Sequence, residues 1–317
     1  MTATADVSRR EAWLMAARPQ TLPAGAAPVI LGVGIAAADG VFSPLPAVAA
    51  LVGALLIQVG TNFANDYYDA VKGTDTEDRE GFTRVTAGGL LAPESVKRAM
   101  VGTYLLAILV GVYLVAIGGL PIVIVGLSGI AAGILYTGGP YPYGYYGLGD
   151  LFVFLYFGLA AVAGTYYVQA VETLAVGVFP LGIPAGSITA SAVLGGIAAG
   201  ALSTAILVVN NIRDRETDKR TGKRTLAVIL GYRLSRVEFS GLIAIAYLVP
   251  VIFWLLFEYQ LFVLAPLVTL PLAIRITMVV WQRSDGNALN PALERTGQLL
   301  AVYAVLFALG LVVPEVA

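Results

Sequence analysis

The sequence predicts an all-α integral membrane protein of nine transmembrane helices, with its N-terminus cytoplasmic and its C-terminus outside. Three observations predict it: the excess of apolar residues, their division into long blocks, and the one-sided placement of positive charge. Of 317 residues, 58% are hydrophobic and 12% charged, against a charged share of about 25% in soluble domains. The blocks lie at about 20–40, 46–67, 96–117, 119–137, 150–170, 190–212, 237–256, 259–281 and 295–314. Each is near the roughly 20 residues that a membrane helix needs. Closed helices are expected because lipid leaves no backbone polar group solvated. The polar stretch Met1 to Arg10, followed by a first block too long for a signal-peptide core, gives no expectation of a cleaved leader.

Threading nine spans from a cytoplasmic N-terminus places all 19 Lys and Arg on the inner side or at inner helix ends. The outer connections, near Asp39, Gly118, Glu172 and Glu258, carry none. This is the positive-inside pattern. It predicts a multi-pass protein of the cell membrane. The chain has no Cys and no His, which excludes disulfides, thiolate nucleophiles and His-based zinc or acid–base chemistry. Carboxylates, amides, hydroxyls, aromatics and basic side chains remain.

Two inner loops concentrate those groups. Residues 61–98 begin TNFANDYYDAVKGTDTEDR, and residues 210–236 begin NNIRDRETDKRTGKRT. Asn65 and Asp69 recur as Asn210 and Asp214, four helices later. A single domain, 1–317, is therefore expected, with a four-helix unit used twice (20–137 and 150–281) and a last helix at 295–314. Helical periodicity puts Asn62, Asn65, Asp66 and Asp69 on one face, and Asn210, Asp214 and Asp218 on another. Both strips fall at helix C-termini, where the backbone dipole already disfavours carboxylates. A cation is needed there. A salt-bridge network with Lys72, Arg79, Arg213 and Lys219 is the structural alternative to a metal.

Hard oxygen ligands in such strips suit Mg²⁺, which takes one or two carboxylates and completes its shell with water and phosphate. Two such sites facing one cavity suit a diphosphate, whose departure Mg²⁺ would assist. Asn65, Asp69, Asn210, Asp214 and Asp218 are the expected metal ligands, two ions being expected. Asp66, Asp69, Asp214 and Asp218 are the expected catalytic acids. Lys72, Arg79, Arg84, Arg213, Lys223 and Arg224 are candidates for the diphosphate clamp, although basic residues in inner loops also set topology. A Tyr-, Gly- and Pro-rich loop, YTGGPYPYGYYGLGD at 136–150, reads either as an interfacial aromatic belt or as pocket wall. In the second reading Tyr136, Tyr141, Tyr143, Tyr145 or Tyr146 faces an allylic cation or a planar acceptor. Asn62 and Tyr68 join that pocket. Asp150 is expected to favour the N-terminus of the next helix.

Taken together, NDYYD at 65–69 and N-x-x-x-D-x-x-x-D at 210–218 resemble the two motifs of the UbiA superfamily of membrane prenyltransferases. The segments ARPQTLPA (17–24), NDYYDAVKGTDTEDR (65–79), NNIRDRETDKRTGKRTLAVILG (210–231) and LNPAL (289–293), with the tyrosine loop, resemble its 1,4-dihydroxy-2-naphthoate branch, in menaquinone biosynthesis. The superfamily often has a third acid four residues after Asp69; here Gly73 stands there and Asp75 two further on, as in that branch. Whether Asp75 or Asp78 touches metal is left open. The resemblance implies a bundle of nine helices around a central cavity, capped by the acidic loops on the cytoplasmic side. It implies Mg²⁺-assisted ionisation of a polyprenyl diphosphate, attack by the ring carbon bearing the carboxylate, and loss of CO₂ and a proton to give demethylmenaquinone. Other acceptors (4-hydroxybenzoate, homogentisate, a glycerol-phosphate lipid) stay open, as does a membrane transporter, although no charge lies mid-span. Nucleic acid is not an expected partner.

Overall fold

The structure, a computed structural model, describes residues 7–73, 84–175, 177–257 and 259–313. Its helices are α1 (Arg9–Ala17), α2 (Leu22–Ala38), α3 (Pro44–Val71), α4 (Pro93–Leu135), α5 (Gly149–Thr173), α6 (Ala190–Arg220), α7 (Leu226–Leu256), α8 (Leu261–Gln282) and α9 (Gly286–Val312). With α1 and α2 taken as one span, eight described elements are long and apolar enough to cross a membrane. That is one fewer than the sequence predicts, and the difference lies in α4.

A straight helix of 43 residues would run about 65 Å, twice the hydrocarbon thickness. α4 is not straight. Gly119 has φ 61° and ψ −147°, outside the helical region. Beyond it the chain doubles back, so that the Tyr104 hydroxyl oxygen lies 2.7 Å from where a Cβ on Gly133 would be. Tyr104 also packs in one apolar cluster with Ile130 and Ile134 of the second arm. The Leu120 N–H donates to the Pro180 carbonyl at 2.9 Å, which ties the reversal to the loop after α5. A Cβ on Gly119 would stand 1.9 Å from that carbonyl oxygen. The backbone region of Gly119 is essentially reserved for glycine and costs an alanine about 1–3 kcal/mol. Gly119→Ala should therefore lower the melting temperature in detergent by several degrees or block insertion; an unchanged melt would show that the reversal tolerates a side chain.

α6 runs through the core, burying Ala198, Ala201, Leu202, Ala205, Val209 and Ile212. Its glycines let α5 approach closely, as small residues do between membrane helices. A Cβ on Gly158 would meet the Gly196 carbonyl oxygen and the Gly200 Cα at 2.5 Å. α5 is π-helical over Phe154–Ala160, where this contact is made. At the opposite end of the bundle from the acidic strips, the Asp39 carboxylate accepts hydrogen bonds from Tyr166 (2.9 Å), Tyr259 (2.9 Å) and Thr189 (3.3 Å).

Two helices begin earlier than the apolar blocks suggest. α7 starts at Leu226 rather than 237 and is interrupted at Gly231 (φ 77°, ψ 169°). α9 starts at Gly286, with the Asp285 side chain accepting from the Ala288 N–H at 3.2 Å. Past its break at Gly231, α7 carries Arg233 and Arg236, and the first turn of α9 carries Asn287, so a hydropathy reading assigns both stretches to loops. As a result Asn290, within LNPAL, is helical and reaches Arg213 behind the acidic strip of α6.

Candidate active site

α3 and α6 end on one cavity of about 620 Å³. Asn62, Asn65 and Asp69 line it from α3, and Asn210, Asp214 and Asp218 from α6. Most of the remaining wall is apolar, with Val112, Ile122 and Phe157 among its residues. A hydrophobic tail therefore has room next to the polar strips.

Asp66 is not on this wall. Successive helical residues turn by about 100°, which aims Asp66 at the segment after residue 84. It is 0% exposed, and its carboxylate accepts from both the backbone N–H (3.2 Å) and the hydroxyl of Thr86. Its place is that of an anchor for the loop which delivers Arg84.

Asp69 is the hub. It is 2% exposed and accepts from Arg84 Nη2 at 3.1 Å, from Lys223 Nζ at 3.2 Å and from the Tyr145 hydroxyl. One carboxylate thus gathers the first acidic loop, the second acidic loop and the tyrosine loop. Lys223 also stands over the Tyr145 ring, 4.6 Å from its centroid. Asn65 accepts from the Thr137 hydroxyl at 3.0 Å.

In the second strip, Arg213 makes a fork on Asp214, with Nε to Oδ1 at 2.7 Å and Nη2 to Oδ2 at 2.8 Å. The same guanidinium donates to Asn210 Oδ1 (2.7 Å) and Asn290 Oδ1 (2.8 Å). It lies behind the wall, so it orients two wall residues instead of facing the cavity. Asp218 accepts from the Thr225 hydroxyl at 3.5 Å, and its carbonyl accepts from the Lys223 N–H at 2.8 Å. The loop carrying Lys223 is thereby folded back over the strip.

The other basic candidates are placed differently. Lys72 donates to the carbonyls of Thr137 (2.6 Å) and Gly139 (2.9 Å), pinning the tyrosine loop to α3. Burial lowers its pKa, against the raising effect of Asp69. The Arg224 side chain is exposed, while its backbone N–H donates to the Tyr145 carbonyl. Arg79, Asp75 and Asp78 lie outside the described residues.

The tyrosine loop divides between both readings. Tyr136, Tyr143 and Tyr145 line the cavity. Burial, and after it the charge of Asp150, raises the Tyr136 phenol well above its usual range. Tyr143 stacks on Phe152 with centroids 4.2 Å apart. Tyr68 packs on Gly138 rather than facing the cavity. Tyr141 is 78% exposed, and Tyr146 also points outward. Asp150 sits in the first turn of α5 but makes no capping bond; both its carboxylate oxygens are buried without a hydrogen-bond partner. Thr86, Thr137 and Asn290 were missed by the sequence reading, since nothing in their local pattern marks a partner so far along the chain.

The carboxylates of Asp69, Asp214 and Asp218 and the amide oxygens of Asn65 and Asn210, on one wall, fit a hard cation such as Mg²⁺. Among the described residues no group of three acids could hold a metal by itself. Phosphate oxygens of a substrate would supply the missing ligands, which is how Mg²⁺ is usually bound.

The model of the UbiA prenyltransferase family matches residues 26–302. The chain belongs to that family. It is 38% identical over 312 residues to the 1,4-dihydroxy-2-naphthoate octaprenyltransferase of Escherichia coli (strain K12), covering 96% of each chain. Its fold is that of a UbiA homolog from Aeropyrum pernix K1, with a TM-score of 0.69, 12% identity and coverage of 90% and 96% of the two chains. It is similarly like a UbiA homolog from Archaeoglobus fulgidus bound to DMAPP and Mg2+, with a TM-score of 0.60, 16% identity and coverage of 95% and 98%. The protein is a prenyltransferase of that family, all-helical among the described residues, with eight elements long and apolar enough to cross a membrane.

Proposed function

We propose that the protein transfers a polyprenyl group from its diphosphate to 1,4-dihydroxy-2-naphthoate with loss of CO₂. The carrying observation is the near full-length identity with the Escherichia coli naphthoate enzyme. The cavity supports it, with an apolar tail space beside opposed acidic strips.

In this reading the donor C–O bond breaks and its electron pair leaves with diphosphate. The ring carbon bearing the carboxylate forms the new C–C bond. The carboxylate departs as CO₂, leaving its pair in the ring, so the exchange needs no net proton and the immediate product is the quinol. Demethylmenaquinone is its oxidised form, which corrects the proton count expected from the sequence.

Asn65 and Asp69 would hold one Mg²⁺, and Asn210, Asp214 and Asp218 a second. When bound, these ions supply charge neutralisation to the departing diphosphate. Arg84 and Lys223, both within reach of Asp69, would take the diphosphate oxygens. Arg213 and Lys72 are positioning residues in this account, and so is Asp66. Tyr136, Tyr143 and Tyr145 face the allylic cation, whose charge their ring faces attract.

We further read α4 as two crossings joined at Gly119, which makes nine spans, with 20–137 and 150–281 as paired four-helix halves. The placement of all 19 Lys and Arg supports a cytoplasmic N-terminus and active site, an outer C-terminus, and residence in the cell membrane.

The test is purified protein with Mg²⁺, a prenyl diphosphate series and naphthoate labelled in its carboxylate. Labelled CO₂ should appear in step with prenylated product. A product retaining the carboxylate would move the acceptor to another aromatic acid.

A further inference from the structure

Three cations stand on the cavity wall among the described residues: Arg84, Lys223 and Arg18. The first two hold Asp69. Arg18 comes from a different element, the break between α1 and α2, and from sequence it stands only among the inner-side cations and within the ARPQTLPA segment. Its backbone is left-handed, at φ 52° and ψ 68°, a conformation that costs a residue with a side chain about 1–2 kcal/mol.

A knot of buried amides keeps it there. The Thr21 hydroxyl donates to the Arg18 carbonyl at 2.9 Å. It accepts from Asn62 Nδ2 at 2.8 Å and from Gln58 Nε2 at 3.0 Å. Asn62 Nδ2 also donates to the Ala17 carbonyl at 2.8 Å. Gln58 and Asn62 are buried on α3 and share the wall with Arg18. Asn62 is one turn before Asn65. The strained turn therefore presents an arginine beside the first acidic strip, on its apolar side. Strain that the surroundings over-determine in this way collects at functional positions.

The acceptor proposed above carries a carboxylate on the very carbon that forms the new bond. That carboxylate must enter a largely apolar cavity close to the donor's first carbon, and a carboxylate without a partner there is strongly disfavoured. We propose that Arg18 is the residue that recognises the acceptor carboxylate, with Thr21, Gln58 and Asn62 as its positioning residues. This rests on the aromatic-acid reading of the function. Because the carboxylate leaves as neutral CO₂, the ion pair is strongest before reaction. Arg18 accordingly sets acceptor binding and orientation more than the chemical step.

Arg18→Gly tests it, since glycine favours the left-handed turn and only the guanidinium is lost. Steady-state kinetics on the full chain in lipid nanodiscs would give separate KM values for donor and naphthoate, and naphthoate fluorescence would report binding without donor. Arg18→Gly should raise the acceptor KM about tenfold or more, weaken direct binding in parallel, and leave the donor KM within about twofold, the signature of lost ground-state binding. Arg18→Lys should recover part of the loss. 1,4-Dihydroxynaphthalene, which lacks the carboxylate, should bind wild type and Arg18→Gly equally. An acceptor KM within about twofold of wild type, or a donor KM that rises with it, would overturn the assignment. A wild-type protein that does not turn over naphthoate would instead overturn the acceptor reading beneath it.

Discussion

Asp69→Asn should reduce turnover by about 10³-fold, roughly 4 kcal/mol of transition-state stabilisation. The carboxamide keeps the shape and can still accept from Tyr145. It removes the charge that would bind metal and that now pairs with Arg84 and Lys223. Those two cations would then be available to diphosphate. Donor binding measured without Mg²⁺ should therefore hold or tighten while kcat collapses. A residue that served only to solvate a loop would show neither effect. Near-normal turnover of Asp69→Asn at saturating Mg²⁺ would sink the two-ion account.

Arg213 is expected to give the next largest effect, and it separates two roles. Arg213→Met leaves Asp214, only 3% exposed, without its fork. Breaking a buried pair from one side costs about 3–5 kcal/mol, a fall in melting temperature on the order of 10 °C for a chain of this size. Arg213→Lys keeps the charge but cannot reproduce the planar fork that reaches Asp214, Asn210 and Asn290 together. With Lys, kcat should drop about 10²-fold as both wall residues lose their orientation, with the donor KM little changed. If Arg213 instead clamps diphosphate directly, as the sequence suggested, the same variant should raise the donor KM and spare the fold.

Asn65 and Asp69, with Asn210, Asp214 and Asp218, could be assigned to one side of their helices from spacing alone, because helical periodicity is local. Asp66 could not be sorted from them. It shares the spacing, and only the packing of the segment after Arg84 decides that Thr86 meets it. Arg213 and Lys223 both stand among the clamp candidates in sequence. One proved to lie behind the wall and the other on it, a distinction made by the approach of α9 through Asn290 and of the tyrosine loop through Tyr145.

The sequence by itself determined the membrane class, most of the apolar spans, the family and the composition of both acidic strips. Those properties follow from hydropathy, charge placement and short-range repeat, which are written in consecutive residues. Only the tertiary structure decided that a single carboxylate, Asp69, ties three loops together, and that α4 turns back at a glycine with no intervening loop. It also decided that Arg18 is held in a strained turn against the cavity. Each of these depends on contacts between residues far apart in the chain, where geometry and burial, rather than residue type, select the partner.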